Sequence, residues 1–183
     1  MFHLKKSSLE NLWHSAPIAY AHFPPFQLSS LPENAKRNLK HAISPNTRLA
    51  NAVRLKMHGE IQLKGWQPFQ TEQIICYHKG MIWQAILWMN GLPVYGWGHV
   101  IEGQGAVQWK LLGLLPVVLA SGPDTTRSAV GRIQEEYVWL PSALLNSAGS
   151  LPLQKKRNTI LDLLYREVRL SDKKSRRFYQ AHG

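Results

Sequence analysis

The chain has 183 residues, enough for one domain with flanking segments, and 44% of them are hydrophobic, which excludes a wholly disordered protein. Cys76 is the only cysteine, which excludes an intramolecular disulfide and a cysteine-based metal cluster and agrees with a reducing, cytoplasmic location. The formal net charge is +11, and residues 154–183 alone carry nine Lys/Arg against three Asp/Glu.

The first 30 residues are predicted to be a leader that packs loosely or is disordered, because several prolines interrupt it. This leader lacks the sustained apolar stretch of a signal peptide. The densest apolar run, residues 111–120, contains Pro116 and is far shorter than the roughly 20 residues that a membrane-spanning helix needs. We therefore expect neither a secretory signal nor a transmembrane segment.

Hydrophobic periodicity predicts a sheet in the middle of the chain. A short helix is expected over residues 32–43. In residues 53–64 every odd position is apolar or glycine and every even position is polar, which predicts a strand with one buried and one solvent-facing side. A second strand is predicted at about residues 69–78. A third strand is predicted at residues 81–89. Because it is apolar on both faces, we expect it to be covered on both sides or to line a cavity on one of them.

The fourth predicted strand, residues 94–102, follows an Asn-Gly hairpin turn and has one bulky and one bare face. Its glycines leave room for something to approach the sheet closely. Either a neighbouring helix or a tryptophan fills that space, or the space is a groove for an apolar ligand. The candidate ligand-binding residues are the aromatic and glycine positions of strands three and four: Trp83, Trp88, Tyr95, Gly96, Trp97 and Gly98.

The second half of the chain is predicted to leave the sheet. Residues 106–112 fit either a strand or the start of a helix, and a helix packed on the sheet is expected over residues 125–140, capped by Asp124. A further helix is expected over residues 156–170, with disorder from residue 171. Three regions follow from these expectations: a leader at 1–30, a single β-rich domain at 31–145, and a basic helical or disordered tail at 146–183.

No motif supports catalysis. The sequence has no P-loop, dinucleotide fingerprint, zinc-ligand spacing or nucleophile elbow, so no cofactor, no metal site and no catalytic residue are expected. Cys76 is interpreted as an inert thiol rather than a nucleophile, and His58 and Glu60 as surface residues. An enzyme would need an acid such as Glu102 or Asp124 to meet a histidine in the folded chain.

Five segments, in order, resemble an uncharacterised bacterial family catalogued only as a domain of unknown function: VRLKMHGEIQL, GWQPFQTEQ, GLPVYGWGHVIEGQG, KLLGLLPVVLASGPD and EEYVWLPSALL. The resemblance covers about residues 31–145. It implies a mostly antiparallel sheet and carries over no activity, cofactor or catalytic residue. Family members continue into further strands after the last motif, whereas this chain continues into a basic stretch, as a truncation or an altered reading frame would produce. The missing strands would leave a sheet edge open unless a helix or another chain covers it.

These observations predict an α+β fold that is mainly antiparallel β. We expect a curved meander sheet covered by one or two helices, loosely similar to lipoprotein-carrier folds, in which a curved sheet holds acyl chains. The expected function is non-catalytic binding of an apolar small molecule or lipid. The alternative is an interaction module whose basic tail contacts a protein partner or, non-specifically, polyanions. An open sheet edge also allows a homo-oligomer.

Overall fold

A computed structural model describes residues 2–23, 28, 33–146 and 177–182. Its centre is an open antiparallel sheet in the order β6-β5-β4-β3-β2-β1-β7. The strands are β1 (Ala52–Gln62), β2 (Trp66–Cys76), β3 (Gly80–Met89), β4 (Leu92–Ile101), β5 (Gln104–Leu111), β6 (Leu115–Ser121) and β7 (Arg177–His182). The first six form a meander of consecutive antiparallel pairs, and β7 returns to pair with β1.

Helices lie on both sides of this sheet, and the predicted α+β class with an antiparallel meander is confirmed. The helices are α1 (Phe2–His14), α2 (Glu33–Ala42), α3 (Pro123–Glu136) and α4 (Pro141–Asn146), with a 3-10 turn at Tyr137–Trp139. The predicted Asn90–Gly91 turn has positive φ at both residues, as a tight hairpin turn requires. Within the described ranges, no helix has the length and apolar character needed to cross a membrane.

One face of the sheet, here called the α3 face, packs against α3 and the elements that follow it. Its first row runs straight across four strands, since Val53, Ile75, Met81 and Val100 are register partners in turn. These buried side chains form one core with Ile133 of α3, and the same core includes Leu55, Tyr77, Trp83, Leu140 and Ala143. Alternation in β1 therefore buries Val53 and Leu55 on this face, as predicted, whereas Ile61, in the second half of the strand, is 43% exposed and departs from the expectation.

The opposite face, here called the α1 face, packs against the first helix. This face consists of the even-numbered positions of β1, β2 and β3. Its buried residues Ala52, Ile74, Cys76 and Ile82 pack against four buried residues near the N-terminus, Leu9, Leu12, Trp13 and Ala16. This finding corrects the expected loosely packed leader. Leu9, Leu12 and Trp13 recur at intervals of three and four, which places them on one side of α1, and Ala16 follows the end of the helix. The prolines that suggested disorder come only after these residues.

The rest of the first 50 residues is also tied to the domain. Phe23, Leu28, Leu39 and Leu49 form a third buried cluster that includes one residue of α2. The backbone N–H of Phe23 donates to the carbonyl of Thr47 at 2.8 Å. The described residues between Ser8 and Leu49 therefore contribute buried apolar side chains to the domain.

Two strands differ from the sequence-based expectation. β6 adds a sixth strand where the chain was expected to leave the sheet, because positive φ at Leu112 and Gly113 turns it tightly back on β5. β7 pairs Arg177–His182 with β1, where disorder was expected. The helix expected over residues 156–170 lies outside the described residues.

Arg54 of β1 connects α1 to the sheet, and its side chain is largely buried. Its Nη2 lies 2.7 Å from a carboxylate oxygen of Glu10, and its guanidinium carbon lies 5.1 Å from the ring centroid of Trp13. Its Nε is 3.8 Å from Glu72 of β2. The arginine thus joins a helix carboxylate, an indole and a sheet carboxylate, which fixes the angle at which α1 lies on this face.

We expect Leu9→Ala to lower the free energy of unfolding by about 2–5 kcal/mol, because it leaves a cavity between α1 and the sheet. Urea unfolding followed by circular dichroism measures this change. Ile18→Ala is the matched control, since Ile18 is 55% exposed and its truncation is expected to cost at most about 0.5 kcal/mol. Equal midpoints for both variants would show that α1 does not belong to the cooperative unit.

Candidate functional site

The six predicted ligand-binding residues lie on two different faces of the sheet. Pairing of β3 with β4 joins Trp83 to Gly98 and Ala85 to Gly96, and Trp83 belongs to the α3-face core. Trp97 packs against the α1-face core instead. Because alternation sends neighbours to opposite sides, Trp83, Gly96 and Gly98 share the α3 face, and Trp88, Tyr95 and Trp97 share the α1 face. The aromatic residues do not form one continuous surface.

Indole rings occupy the space above the two glycines of β4. A Cβ atom at Gly98 would lie 2.7 Å from ring atoms of Trp83, and one at Gly96 would lie 2.5 Å from ring atoms of Trp109. The two indoles also contact each other, with centroids 5.6 Å apart and planes inclined by 46°. The sequence left two interpretations of the bare face of β4, a filled space or a ligand groove, and the geometry agrees with a space filled by tryptophan. The sequence did not indicate that Trp109 is one of the residues that fill it.

Arg132 of α3 covers the outer side of this pair. Its guanidinium carbon lies 5.2 Å from the ring centroid of Trp83, within cation–π range. Its Nε is also 3.4 Å from a carboxylate oxygen of Glu136, one turn further along the helix. The indole of Trp83 is therefore enclosed by a glycine of β4 below, Trp109 beside it and an arginine above.

Beyond the tryptophans, the α3 face continues into a row of apolar side chains here called the distal row. Phe69, Leu87, Val94 and Leu111 are register partners across β2, β3, β4 and β5. Val94 is buried and the other three are half-buried, and none of the four belongs to a core that packs against a helix. The row ends in the exposed Leu115 of β6.

The distal row lies far from the helix that covers the other end of this face. α3 contacts β5 at Gly105, where a Cβ would lie 2.8 Å from the Cβ of Ala129. Leu111 is six residues further along the same strand, a distance of roughly 20 Å. Across the described ranges, α3 therefore covers the first rows of the face and leaves the distal row to solvent or to a ligand.

A buried amide lies between the covered rows and the distal row. Gln73 is fully buried on the α3 face, paired in register with Leu55 on one side and Trp83 on the other. Neither its Oε1 nor its Nε2 has a hydrogen-bond partner among the described residues. A buried, unsatisfied polar group costs about 1–3 kcal/mol. The sequence did not single out this residue, since a glutamine in a strand gives no indication of its side.

The α1 face carries a polar groove formed by the middle residues of β1, β2 and β3. A cavity of about 350 Å³ is lined mainly by Lys56, His58, Gln70, Glu72, Gln84 and Ile86. Nε2 of Gln84 donates to a carboxylate oxygen of Glu72 at 3.2 Å, and Nζ of Lys56 lies 3.9 Å from the other oxygen. The charged groups of this groove thus largely neutralise each other, and His58 is exposed to solvent, as predicted.

The titratable residues considered for catalysis are not brought together. Asp124 is exposed, forms an ion pair with Arg127 at 3.1 Å and makes no capping hydrogen bond to α3, which corrects its predicted role as a cap. The ring centroids of His99 and Trp97 lie 4.7 Å apart with their planes inclined by 52°, and burial lowers the pKa of His99. Cys76 is buried, and burial raises the pKa of its thiol, which keeps it protonated.

The described ranges contain no group of three or more His, Cys, Asp or Glu residues placed to hold a metal ion. The basic tail falls mostly on residues 147–176, which lie outside the described ranges. The proposal that it contacts polyanions therefore stays a prediction.

Gly98→Ala is expected to destabilise the protein by about 1–3 kcal/mol, because the new methyl group overlaps an indole that is itself enclosed. Gly131→Ala is the matched control. Gly131 is an exposed residue of α3 with open space at its Cβ position, so alanine there is expected to stabilise by up to about 1 kcal/mol. Thermal unfolding distinguishes the two, and an unchanged melting temperature for Gly98→Ala would mean that Trp83 does not lie on the glycine.

Gln73→Met is expected to stabilise the fold by about 1 kcal/mol or more, because it removes two unsatisfied polar atoms while keeping an unbranched side chain of similar length. Chemical denaturation measures this gain. Gln70→Met provides the comparison, since Gln70 is exposed in the same strand and its replacement is expected to change stability by less than about 0.5 kcal/mol. A loss of stability in Gln73→Met would show that the amide has a partner in solution.

Comparison with known proteins identifies the family of this chain but assigns no function to it. Residues 29–151 match the model of a family described as "Family of unknown function (DUF6920)". No curated protein and no solved structure matches the chain. The matched segment includes α2, the six-stranded meander, α3 and α4, and it covers about two thirds of the sequence. The chain therefore belongs to this family of unknown function, as the motif resemblance predicted.

Proposed function

We propose that the chain is a non-catalytic binding protein for an apolar, lipid-like ligand, which lies across the distal row of the α3 face. The observation that carries this proposal is the row itself. Phe69, Leu87 and Leu111 are half-buried apolar side chains of β2, β3 and β5, in one row across a sheet whose other end is covered by a helix. A folded protein seldom leaves such a row without a partner.

The chemistry of the surrounding side chains favours an apolar ligand. The next row of the same face consists of Met57, Thr71, Ala85 and Trp109, together with Gly96. Neither row contains a charged residue. Each methylene group of an acyl chain that is transferred from water onto such a surface contributes about 0.8 kcal/mol. The distal row alone spans roughly 14 Å across four strands, so it accepts several methylene groups at once.

The tryptophan pair gives the ligand a rigid boundary. Trp83 is buried and held between α3 and Gly98, whereas Trp109 is half-buried and borders the distal row. A ligand on the distal row would therefore contact the edge of Trp109 and leave Trp83 in place. This arrangement supports the ligand-binding function predicted from the sequence but moves its site: Trp88, Tyr95 and Trp97 are on the other face and take no part in it.

Leu87→Asn is expected to weaken binding of lauric acid at least about tenfold, because it replaces an apolar contact worth about 1.5–3 kcal/mol by an amide. Ile86→Asn is the matched control. Ile86 is the preceding residue of β3, is also half-buried and belongs to the opposite face, so this variant is expected to bind within about twofold of the unchanged chain.

The measurement is a titration of the full chain with lauric acid, and separately with phosphatidylcholine vesicles, followed by tryptophan emission and by isothermal calorimetry. A blue shift that saturates, with a negative heat-capacity change, is the expected result, since apolar surface is buried. The proposal fails if neither probe binds, or if Leu87→Asn and Ile86→Asn weaken binding equally.

A further inference from the structure

The edge strand β6 exposes more apolar surface than any other described element. Leu115, Val117 and Leu119 are 61%, 60% and 73% exposed, and Val118 is 41% exposed. β6 is the outermost strand of the sheet, and no described strand pairs with its outer edge. Its outward backbone N–H and C=O groups therefore face away from the sheet beside a run of exposed aliphatic side chains.

Natural sheets usually protect such an edge with charged residues, prolines or bulges. β6 has Pro116, and its register with β5 shifts between Trp109 and Lys110, so its first residues are protected. From Val117 to Ser121 the strand has neither a charge nor a proline. The opposite edge of the sheet, β7, differs in composition, since it begins with Arg177 and ends with His182.

These features specify the partner. The unpaired backbone groups of β6 are best satisfied by another β-strand. Because the side chains of β6 are aliphatic on both sides and uncharged, the partner strand is expected to be apolar and uncharged as well. We propose that β6 pairs antiparallel with β6 of a second copy of this chain, which gives a two-fold symmetric dimer with one continuous sheet. An isologous contact of this kind closes on itself, whereas pairing of β6 with β7 of another copy would continue into a filament.

The proposed dimer has a defined geometry. A two-fold axis between antiparallel strands of one sheet is perpendicular to that sheet, so the α3 faces of both copies lie on the same side. Val118 and Leu115 extend the α3 face of each copy to this edge. Because the strands are antiparallel and pair over residues 117–121, the distal rows of the two copies lie at opposite ends of the contact. The pairing of two short strands buries less area than a standard interface, which points to dissociation in the micromolar range.

Sedimentation velocity of the full chain between about 1 and about 100 µM tests the dimer. We expect a concentration-dependent shift from monomer to dimer. Leu119→Lys is expected to abolish it, because it brings like charges together across the axis, and Tyr20→Lys is the matched control at a residue that is 81% exposed and remote in sequence from β6. A monomer at every concentration, or a Leu119→Lys chain that still dimerises, overturns the proposal.

Disulfide trapping provides a second readout that does not depend on tolerance of a lysine. Cysteines placed singly at Val117, Val118 and Leu119 are oxidised under mild conditions, with Cys76 left in its buried position. Because residues across an antiparallel pair lie about 4.5–5.5 Å apart, at least one of the three positions is expected to cross-link into a dimer, and Ile18→Cys is not. Absence of cross-linking at all three positions, or equal cross-linking at Ile18→Cys, contradicts the pairing of β6 with itself.

Discussion

The packing of two indoles on two glycines determines how the α3 face of this sheet is built. Gly96 and Gly98 remove two side chains from the centre of β4, and Trp109 and Trp83 of the neighbouring strands lie in the space. Neither indole could take this position if β4 carried a Cβ there. The arrangement also sets the height at which α3 lies, since Arg132 packs on the outer side of Trp83. The part of the α3 face that the helix covers therefore depends on two glycines, Gly96 and Gly98, which have no side chain.

The two faces of the sheet differ in what they leave exposed. On the α1 face, the helix buries the apolar residues next to it, and beyond it lie a polar groove around Glu72, whose carboxylate already has partners, and the half-buried Trp88 and Tyr95. On the α3 face, the residues that remain beyond the helix are the apolar distal row and the edge of β6. An apolar ligand and a second copy of the chain are two separate ways to cover this surface. The dimer joins the α3 faces of two copies at β6 and leaves both distal rows open, so one does not exclude the other.

How much of this architecture the sequence predicts depends on how regular each pattern is. Strict alternation in β1 and the Asn90–Gly91 turn identified the antiparallel meander. The face of Trp109 could not be predicted, because β5 fitted a strand or a helix start equally well. β6 was missed because an apolar edge strand shows no alternation, and α1 because nearby prolines outweighed its helical spacing. The isolation of Gln73 is a property of tertiary packing, since its partners in register, Leu55 and Trp83, come from different strands.

Tryptophan side chains, and not an empty groove, lie above the glycines of β4. Proton NMR of the full chain tests this packing directly through nuclear Overhauser contacts between the indole rings and the α-protons of Gly96 and Gly98. We expect contacts from Trp109 to Gly96 and from Trp83 to Gly98, with both pairs of α-protons shifted upfield by the ring currents. α-Protons with ordinary chemical shifts and no contact to any indole would contradict the account of this face.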